Sequence, residues 1–468
     1  MNVLLIDPPW VIKSKKNLWR KVGSCLPSLG LVYIAAVLER EGHKVDYIDS
    51  TAENLGVKET VQWIIKMKEE GYVPELIGIT STTTLIDNAT LLAKDLRKIC
   101  PSTKIVFGGT HPTVLPEECL IYADYVVIGE GEYVFSELAG GKDLSEIKGL
   151  VYKDETGKVI FNEQRMQIDN LDVLPLPAYH LLSMEKYRPA VGTYKQLPAM
   201  SMISSRNCNG RCTYCFHLGK RVTFRSAENI IKEVELLYHK YGIREIQFYD
   251  DNFLLYKQNV FDFCSLLKEK GLKITWSCFS RVDAITRNGK VDLDYLKELK
   301  KAGLHLVLFG VETADLEIMK NIKKNLNLND VKPTIDACRE AGIETRCSYM
   351  FGNEGETEES CEKTINFAIY VDSDTVQFNI ATAYPGTEFY EWAKSKGLLL
   401  HAGWENFNMS DKVIELPTIS NERLNYYYTL AHRKFYLRPR VILRRAKNLF
   451  SLSGMKQEFL GLRAVIGV

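Results

Sequence analysis

The 468-residue sequence predicts an α/β protein with two sheet-forming regions and a helical C-terminal tail. Short apolar runs alternate with amphipathic helical patterns over residues 1–142, and a second series of the same kind covers 198–400. Strand–helix alternation is typical of parallel sheets that are covered by helices. Residues 143–197 lack the alternation, and 401–468 form a helical, basic pattern. We therefore expect four regions with these boundaries.

Composition restricts the compartment and the class of partner. A content of 46% hydrophobic and 25% charged residues is ordinary for a soluble protein. The net charge of +1 gives no global attraction to nucleic acid, so none is expected as a partner. The eleven cysteines are irregularly spaced and no secretion signal is evident, which predicts a cytoplasmic protein with reduced thiols. No apolar run approaches the roughly 18 residues of a membrane-spanning helix.

In residues 1–142 the pattern predicts an open, mostly parallel, doubly wound sheet of the Rossmann-like kind. The expected strands are Val3–Ile6, Lys44–Ile48, Leu76–Thr80, Lys104–Phe107 and Tyr125–Ile128. Ligands bind such sheets beyond the carboxyl ends of the strands. Glycines follow the fourth and fifth strands there, at Gly108, Gly109, Gly129 and Gly131. They would let a bulky ligand approach the backbone, but tight turns explain them equally well from spacing alone.

The region 143–197 reads as a hairpin followed by a connector. Residues 149–162 place Glu155-Thr156-Gly157-Lys158 between two apolar runs, which is typical of a β-hairpin. Residues 164–197 lack the glycine and serine content of flexible linkers, so we expect an ordered connector.

Residues 198–400 contain six strand–helix repeats, which predict a partial, TIM-like (β/α)6 barrel that is open on one side. The expected strands are Ala199–Ile203, Glu245–Phe248, Ile274–Cys278, Leu306–Phe309, Thr345–Met350 and Thr375–Asn379. Barrel enzymes gather their working residues at the carboxyl ends of the strands. Polar groups recur at those ends here, at 250–252, Arg281, Glu312 and 352–356. Helix capping explains single acids or amides, but does not require a recurrence at successive strands.

Cys208, Cys212 and Cys215 follow the first of these strands with the spacing C-x3-C-x2-C. Three thiolates suit a cubane iron–sulfur cluster with one iron open to an exchangeable ligand, because the usual set is four cysteines. A structural zinc site with His217 as fourth ligand is an alternative. Three unrelated buried cysteines are another. The spacing favours the open cluster, since structural zinc usually uses paired C-x2-C units.

This loop resembles the hallmark loop of the radical S-adenosylmethionine (SAM) superfamily, in which an aromatic residue, here Tyr214, precedes the last cysteine. The resemblance implies a [4Fe–4S] cluster on the three cysteines, with SAM bound at the open iron. It also implies that the reduced cluster cleaves SAM to a 5′-deoxyadenosyl radical, which abstracts hydrogen from an unactivated carbon. The protein would supply positioning and exclusion of water.

The resemblance also implies roles for the residues at the strand ends. Asp250 or Asp251 would accept hydrogen bonds from the SAM ammonium group. Arg281 would pair with the SAM carboxylate, which suits a planar guanidinium fork. Glu312 would accept from the ribose hydroxyls. Glu354 stands where the family usually has proline, which leaves the contact of that loop with adenosine open.

Four short motifs mark the first region: Pro8-Pro9, Pro27-Ser28-Leu29-Gly30-Leu31, Gly108-Gly109-Thr110-His111-Pro112 and Gly129-Glu130-Gly131-Glu132. They resemble the cobalamin-binding domain that is fused to many radical SAM enzymes, where the corrinoid lies between the two domains. The resemblance implies cobalamin contacts at the two glycine motifs, including Glu130. The D-x-H-x-x-G motif that supplies a cobalt ligand elsewhere is missing, so His111 is expected at the corrinoid edge or in solvent.

The tail combines a tyrosine-rich amphipathic helix, Asn421–Tyr436, with a segment from Arg433 to Lys447 that has seven basic residues and no acid. A basic amphipathic segment can lie on an anionic membrane, which would fit a lipid substrate. It can equally close the open side of the barrel. The second interpretation is favoured because Arg438-Pro439-Arg440 is similar to a tail common in this family.

These features together imply a cobalamin-dependent radical SAM enzyme, and the leading hypothesis is a C-methyltransferase acting on an unactivated carbon. A cyclase or rearrangement enzyme for tetrapyrroles or lipids is the alternative. A corrinoid-binding sensor with a structural metal loop is a more remote one. The substrate is expected to be a small molecule or a lipid, and the electron donor to be of the flavodoxin or ferredoxin type.

Overall fold

A computed structural model of the chain describes residues 1–10, 23–219, 221–287, 289–400, 403–404, 406–407 and 412–446. The predicted tail therefore lies partly outside the described residues, as does Lys447 of its basic segment. Across these described ranges, no helix is both long enough and apolar enough to cross a membrane.

The first sheet is built from seven strands. They are β1 (Asn2–Asp7), β2 (Lys44–Asp49), β3 (Leu76–Thr80), β4 (Lys104–Gly108), β5 (Tyr125–Val127), β6 (Leu150–Lys153) and β7 (Val159–Phe161). Their order is β2-β1-β3-β4-β5-β6-β7. β1 to β5 are parallel to one another, whereas β6 and β7 form an antiparallel hairpin that pairs with β5. The predicted strands and hairpin are confirmed, and the hairpin extends the first sheet.

Helices pack against both faces of this sheet, as a doubly wound arrangement requires. They are α1 (Leu29–Arg40), α2 (Val57–Glu69), α3 (Ile86–Ile99), α4 (Thr110–Val114), α5 (Pro116–Cys119) and α6 (Glu132–Ala139). Successive side chains of a strand point to opposite faces. Accordingly, Leu4 of β1 shares a core with Ile64 of α2, and Leu5 shares another with Leu31 of α1.

The second sheet is the predicted partial barrel. The strands in this part of the chain are β8 (Ala199–Met202), β9 (Ser205–Arg206), β10 (Thr223–Phe224), β11 (Glu245–Phe248), β12 (Thr275–Ser280), β13 (Thr286–Arg287), β14 (Lys290–Val291), β15 (Leu304–Glu312), β16 (Glu344–Phe351) and β17 (Thr375–Ile380). Six of them form a parallel sheet in the order β17-β16-β15-β12-β11-β8. Within the described residues β8 and β17 are its edges, so the barrel is open between them.

Helices cover the outer face of the barrel sheet, and the largest core lies between the two layers. They are α7 (Ala227–Lys240), α8 (Lys257–Glu269), α9 (Leu293–Lys301), α10 (Leu316–Asn321), α11 (Val331–Glu340), α12 (Glu358–Val371), α13 (Glu388–Ser395), α14 (Asn421–Tyr436) and α15 (Pro439–Ala446). Trp276, Tyr349 and Phe378 are buried in this core.

The described part of the tail packs against the open edge of the barrel. The Tyr436 hydroxyl donates to the carbonyl of Val376 in β17 at 2.6 Å and accepts from its N–H at 3.1 Å. An edge strand exposes such unpaired groups, so this contact covers the edge. Arg438 and Arg444 pair with the Asp372 carboxylate at 3.0 and 2.8 Å. The structure therefore supports the interpretation in which the tail closes the barrel.

Candidate active site

The cysteine loop leaves the barrel after β8 and is fixed at both ends. The Asn207 side chain accepts from the Gly219 N–H at 3.1 Å, which ties the start of the loop to its end. Asn207 takes a φ of 68°, a left-handed value that asparagine adopts more readily than most residues. In the middle, the Thr213 N–H donates to Ile322 O at 3.0 Å and its carbonyl accepts from Phe389 N at 2.9 Å. These bonds hold the loop against the ends of α10 and α13.

All three predicted cysteines lie on this loop, with Cys212 buried, Cys208 half-buried and Cys215 exposed. The Gly210 N–H donates to Cys208 Sγ at 3.3 Å. A hydrogen bond from Cys215 lowers the pKa of Cys212 to about 6, and the positive charge of Lys324 acts in the same direction. A thiol that ionises so readily suits metal ligation, because the thiolate is the ligand.

The described residues contain no group of three histidine, cysteine, aspartate or glutamate side chains that is arranged to hold a metal ion. The fit of the loop to an iron–sulfur cluster therefore rests on its three thiols and on the cations beside them. Cluster irons take thiolate ligands of this kind.

Arg281 reaches the cysteine loop from the end of β12. Its Nε and Nη2 donate to the two carboxylate oxygens of Asp283 at 2.9 and 2.8 Å, and Nη2 also donates to Asn325 O at 2.9 Å. Its Nη1 lies 3.2 Å from the point where a Cβ on Gly210 would stand. The guanidinium is thus anchored on one side and turned toward the loop on the other, which suits the carboxylate of SAM.

Glu312 occupies a strained position at the end of β15. Its φ is 73°, and the pairing of β15 with β16 shifts register between Gly310 and Glu312. Its Oε1 accepts from Lys324 Nζ at 3.2 Å, and both side chains are nearly buried. A Cβ on Gly310 would lie 2.4 Å from this oxygen, so a larger residue there would displace the Glu312 carboxylate. Bulges and backbone strain of this kind cluster at functional sites.

Lys324 is a site residue that the sequence pattern did not single out. Its charge lowers the pKa of Cys212, whereas at Cys215 it only partly offsets the hydrogen bond with Cys212 and the burial, which raise the pKa of that thiol. Along the chain it follows Lys320 and Lys323, and no spacing or motif separates it from them. Only the turn after α10 brings it inside, so the sequence carried no signal that would have found it.

The two acids after β11 have different environments. Asp250 is 1% exposed, and its carboxylate accepts from the Ser204 N–H at 3.1 Å, the Ser204 hydroxyl at 2.7 Å and the Ser205 hydroxyl. Burial raises the pKa of Asp250, against these hydrogen bonds. Asp251 is exposed. Because the Asp250 oxygens already accept hydrogen bonds, the exposed Asp251 is the more accessible of the two predicted partners for the SAM ammonium group, and the role stays a prediction for both.

Two buried amides at the strand ends have polar atoms without a hydrogen-bond partner among the described residues. They are Nδ2 of Asn252 and Oδ1 of Asn353. The other end of the Asn252 amide accepts from Arg281 N at 3.1 Å, so its orientation is fixed. Buried polar atoms are normally paired. These two atoms therefore fit a polar ligand such as SAM, although neither residue was assigned a role from the sequence.

The glycine loops after β4 and β5 lie side by side in the first domain. A Cβ on Gly109 would stand 2.5 Å from Ser81 O, and its φ is 103°, so a tight turn explains this glycine. The Gly129 N–H donates to Thr113 Oγ1 at 3.1 Å. The φ of Gly129 is 86°, a value at which the turn favours glycine. A Cβ at this position would meet nothing within 4 Å, so the space in front of it is open.

His111, on α4, is 1% exposed. Its Nδ1 lies 3.2 Å from Thr83 Oγ1, and Trp404 packs edge-on against the ring with 5.0 Å between centroids. Burial lowers the pKa of His111 to about 4, so the ring is neutral near pH 7. Its Nε2 is buried and has no partner within the described part of the chain. A neutral, unpartnered nitrogen fits a contact with a large polar ligand, and its contact with cobalamin stays a prediction.

Glu130 takes part in the contact between the first domain and the cysteine loop. Its Oε1 accepts from Arg206 Nη1 at 2.7 Å, and its Oε2 accepts from the Ile168 N–H at 2.6 Å. Glu132 binds the same guanidinium through Nη2 at 2.5 Å. Glu130 and Glu132 therefore join the first domain to the residue two positions before Cys208, and the contact of Glu130 with cobalamin stays a prediction.

The two domains meet directly at the cysteine loop. A Cβ on Gly386 would stand 2.6 Å from a methyl group of Val114, on α4 of the first domain, and 3.2 Å from the ring of Phe216. Phe216 directly follows the last cysteine. The loop after β17, the cysteine loop and the His111 helix therefore converge at one interface.

Comparison with known proteins identifies both regions. The Radical SAM superfamily model matches residues 202–368, and the B12 binding domain model matches residues 16–139. An uncharacterized methyltransferase of Pyrococcus horikoshii is 36% identical over 479 residues, spanning 100% of this chain and 98% of the relative. The chain belongs to the B12-binding radical SAM family. The resemblance seen in the sequence is confirmed.

Two further radical SAM relatives bear on activity and fold. The anaerobic magnesium-protoporphyrin IX monomethyl ester cyclase of Rubrivivax gelatinosus is 23% identical, covering 93% of this chain and 78% of the cyclase. The radical SAM methyltransferase TsrM of Kitasatospora setae, solved with cobalamin and a [4Fe–4S] cluster bound, is 20% identical with a TM-score of 0.65. The likeness covers 84% of this chain and 78% of TsrM. It supports the predicted two-domain α/β fold.

Membership of this family makes the protein a methyltransferase-like radical SAM enzyme. Its cofactors are a [4Fe–4S] cluster, SAM and cobalamin. Family membership favours the open cluster over a structural zinc site and the enzyme over a sensor, and the binding of the cluster by Cys208, Cys212 and Cys215 stays a prediction. The assignments of individual residues to SAM and cobalamin stay predictions.

Proposed function

We propose that this radical SAM enzyme transfers a methyl group to an unactivated carbon of a small-molecule substrate. The observation that carries the proposal is the meeting of Phe216, Gly386 and Val114, which sets the cysteine loop against the B12-binding domain. A substrate bound near this interface would face the SAM site and the corrinoid site together. Methyl transfer that uses two cofactors on one substrate needs both of them within reach of the same substrate carbon.

The residues of this chain position SAM and balance its charges. Arg281 Nη1 and Lys324 offer positive charge for the SAM carboxylate, and the exposed Asp251 offers negative charge for its ammonium group. Glu312, fixed by Lys324, presents a carboxylate oxygen for the ribose. When bound, the cluster, SAM and cobalamin supply the radical and methyl-donor chemistry. Transfer to a carbon radical needs no general acid or base, so none has to be identified.

The runner-up is a cyclase or rearrangement reaction, favoured by the likeness to the Rubrivivax gelatinosus cyclase. Both activities begin with hydrogen abstraction, so the site geometry is compatible with either. They differ in the product, which gains a methylene unit on methylation and loses hydrogen on cyclisation. Product mass separates them once a substrate is known.

The redox partner we propose is a low-potential one-electron donor of the flavodoxin or ferredoxin type. Radical formation needs a reduced cluster, and the exposed position of Cys215 leaves this edge of the loop open to a donor.

A more specific hypothesis is that the substrate is a lipid and is delivered from a membrane. Ile442 and Leu443 of the basic helix α15 are 52% and 70% exposed, which favours it. Against it, Arg438, Arg440 and Arg444 all pair with Asp372, so less charge is left to attract anionic lipid. We therefore propose a substrate taken from solution. Sedimentation with anionic vesicles checks this, since the protein should stay in the supernatant.

The experiment that tests the proposed function uses anaerobically reconstituted enzyme with deuterium-labelled methyl-SAM and a reductant. We expect both 5′-deoxyadenosine and S-adenosylhomocysteine from the wild type, and neither from Cys212→Ala. Cys264→Ala is the matched control, because that cysteine is buried in the core on α8. Deoxyadenosine without homocysteine would favour the cyclase. Absence of both products and of bound iron would refute the enzyme proposal.

A further inference from the structure

Arg346 lies on the barrel strand β16 and faces the inside of the barrel. Its neighbours Cys347 and Tyr349 are fully buried in the core between the barrel sheet and the outer helices. Side chains alternate between the two faces of a strand. Arg346 and Ser348 therefore point to the lumen, away from the helices.

The Arg346 guanidinium has few partners. Its Nε donates to Thr375 Oγ1 at 3.3 Å, and it forms no ion pair with a carboxylate of the described residues. Arg346 is half-buried, and two more deeply buried arginines do have such a partner: Arg225 pairs with Glu233, and Arg281 pairs with Asp283. Arg346 is thus an internal cation without a protein counter-ion in the described ranges.

Carboxylates on the barrel strands are engaged elsewhere. Glu245, at the base of the lumen, accepts from His305 at 2.8 Å. Glu312 pairs with Lys324 and Glu344 with Lys195. Burial lowers the pKa of Arg346; the nearby Tyr436 acts in the opposite direction, and the positive charge of a neighbouring arginine of the tail lowers it again. Among the described residues, no carboxylate therefore balances the charge of the guanidinium.

The lumen around Arg346 has one polar wall and one aromatic wall. On the polar side, the Asn379 amide donates to Ser348 Oγ at 3.1 Å and accepts from the Gln377 amide at 3.0 Å. On the other side, the rings of Tyr249 and Phe279 lie 5.3 Å apart. Tyr249 directly precedes Asp250 and Asp251, so this lumen continues to the strand ends of the candidate active site.

A buried cation is costly unless an anion pairs with it. We propose that Arg346 binds an oxyanion of the substrate, a carboxylate or a phosphate, while the body of the substrate lies against the aromatic wall of Tyr249 and Phe279 and extends toward the strand ends. The guanidinium fork suits either oxyanion. This inference rests on the proposed function, since it names the class of substrate that the same site takes.

The test measures binding of three probes that share one ring: phenyl phosphate, benzoate and the neutral benzyl alcohol. Each is titrated calorimetrically into reconstituted holoenzyme without reductant. We expect at least one anion to bind, and to bind about tenfold or more weakly to Arg346→Gln. Arg346→Lys should recover part of the affinity. The matched control Arg423→Gln removes an exposed arginine paired with Glu358 and should bind like the wild type.

The preferred anion identifies the oxyanion: phenyl phosphate for a phosphate, benzoate for a carboxylate. Equal binding of benzyl alcohol, no binding of either anion, or unchanged affinity in Arg346→Gln would each overturn the proposal. Stability gives a second measurement that does not depend on the probe. Without an anion, Arg346→Gln should melt at a higher temperature than the wild type, because an unpaired internal charge has been removed. A lower melting temperature would show a structural arginine and overturn the proposal.

Failure of this inference is distinguishable from failure of the proposed function. Radical chemistry is measured on the wild type as deoxyadenosine release from SAM with a reductant, whereas anion binding is measured without reductant. Wild-type enzyme that releases deoxyadenosine but binds no anion would keep its function and refute the role of Arg346. Enzyme that binds an anion but cleaves no SAM would support the role of Arg346 and refute the proposed function.

Discussion

At the scale of single residues, Asp250 and Asp251 after β11 should differ most clearly in how their substitution changes stability. Asp250→Asn replaces one carboxylate oxygen by an NH2 group that would face the N–H of Ser204 or the hydroxyls of Ser204 and Ser205. A buried hydrogen-bond acceptor lost in this way costs about 2 kcal/mol or more. Asp251→Asn is at an exposed position and should change the free energy of unfolding by less than about 0.5 kcal/mol.

Urea unfolding of both variants measures this difference in stability. Their affinities for SAM measure the second difference between them. We expect Asp251→Asn to weaken SAM binding while it keeps wild-type stability. The reverse pattern, with Asp250→Asn stable and defective in SAM binding, would contradict the assignment made from the hydrogen bonds of Asp250.

Glu356 should give the stability of the protein a measurable pH dependence. Burial raises its pKa from 4.5 to about 7, although Ser360 and the Gly352 N–H donate to its carboxylate. Between these two values the folded state holds a proton that the unfolded chain has lost. Its contribution to stability is therefore complete below pH 4.5 and is lost as pH rises to about 7, by roughly 3 kcal/mol.

Glu356→Gln removes the titration and can still accept from the Gly352 N–H. Its free energy of unfolding should depend less on pH than that of the wild type over this window, and it should exceed the wild-type value above about pH 7. Parallel pH profiles for the two proteins would show that Glu356 is ionised in the folded state throughout.

The roles of single residues were the part of the site that was hardest to predict from the sequence. The C-x3-C-x2-C spacing identified the cysteine loop because all three ligands lie within eight residues. Asp250 and Asp251 are adjacent and chemically identical, so only the fold reveals that the first is saturated by two serines. Lys324 is one of several lysines, and its position beside Glu312 depends on a turn that no motif marks.

At the scale of elements, the contact between the cysteine loop and the first domain depends on Arg206. Its guanidinium bridges Glu130 and Glu132, whose side chains are 8% and 4% exposed, and lies 5.9 Å from the ring centre of Tyr33. Removing one partner of a buried ion pair leaves an uncompensated charge. Arg206→Gln leaves two uncompensated charges, the carboxylates of Glu130 and Glu132, so the cysteine loop and the B12-binding domain should separate or reorient.

We expect Arg206→Gln to lower S-adenosylhomocysteine release about tenfold or more while deoxyadenosine release changes less, because only the first needs the two domains in register. The matched control is Arg221→Gln, in the same loop, whose pair with Asp169 is more than 60% exposed on both sides. An equal loss of both products in Arg206→Gln would indicate damage to the cluster loop itself.

The strands were the elements best predicted from sequence. Parallel strands buried on both faces leave long apolar runs, as in β1 and β15, and these runs set the sheet. The extension of the first sheet by β6 and β7 was not predicted, because a hairpin signal gives the local turn but not the strand it pairs with. The ion pair of Glu130 was not predicted for a related reason: its partner Arg206 lies in the other domain.

At the scale of the whole molecule, Trp404 joins the C-terminal region to the B12-binding domain. It packs against the cores of both domains, its Nε1 donates to Glu118, and its ring covers His111. No sequence pattern connects this tryptophan with the first domain, because the two are about 300 residues apart. The segment that carries Gly108, Gly109 and His111, which is the predicted cobalamin loop, is therefore shaped partly by the region that follows the barrel.

This arrangement predicts that Trp404→Ala weakens cobalamin binding although Trp404 lies far from the glycine motifs in sequence. Loss of this half-buried aromatic contact leaves the His111 ring more exposed and its helix less constrained. We expect hydroxocobalamin to bind about tenfold more weakly in an absorbance titration. Trp404→Phe, which keeps a ring against His111 but loses the hydrogen bond to Glu118, should lie between the two. Trp63→Ala is the control, since Trp63 is 43% exposed on α2. Wild-type affinity in Trp404→Ala would show that the cobalamin loop is ordered by the first domain alone.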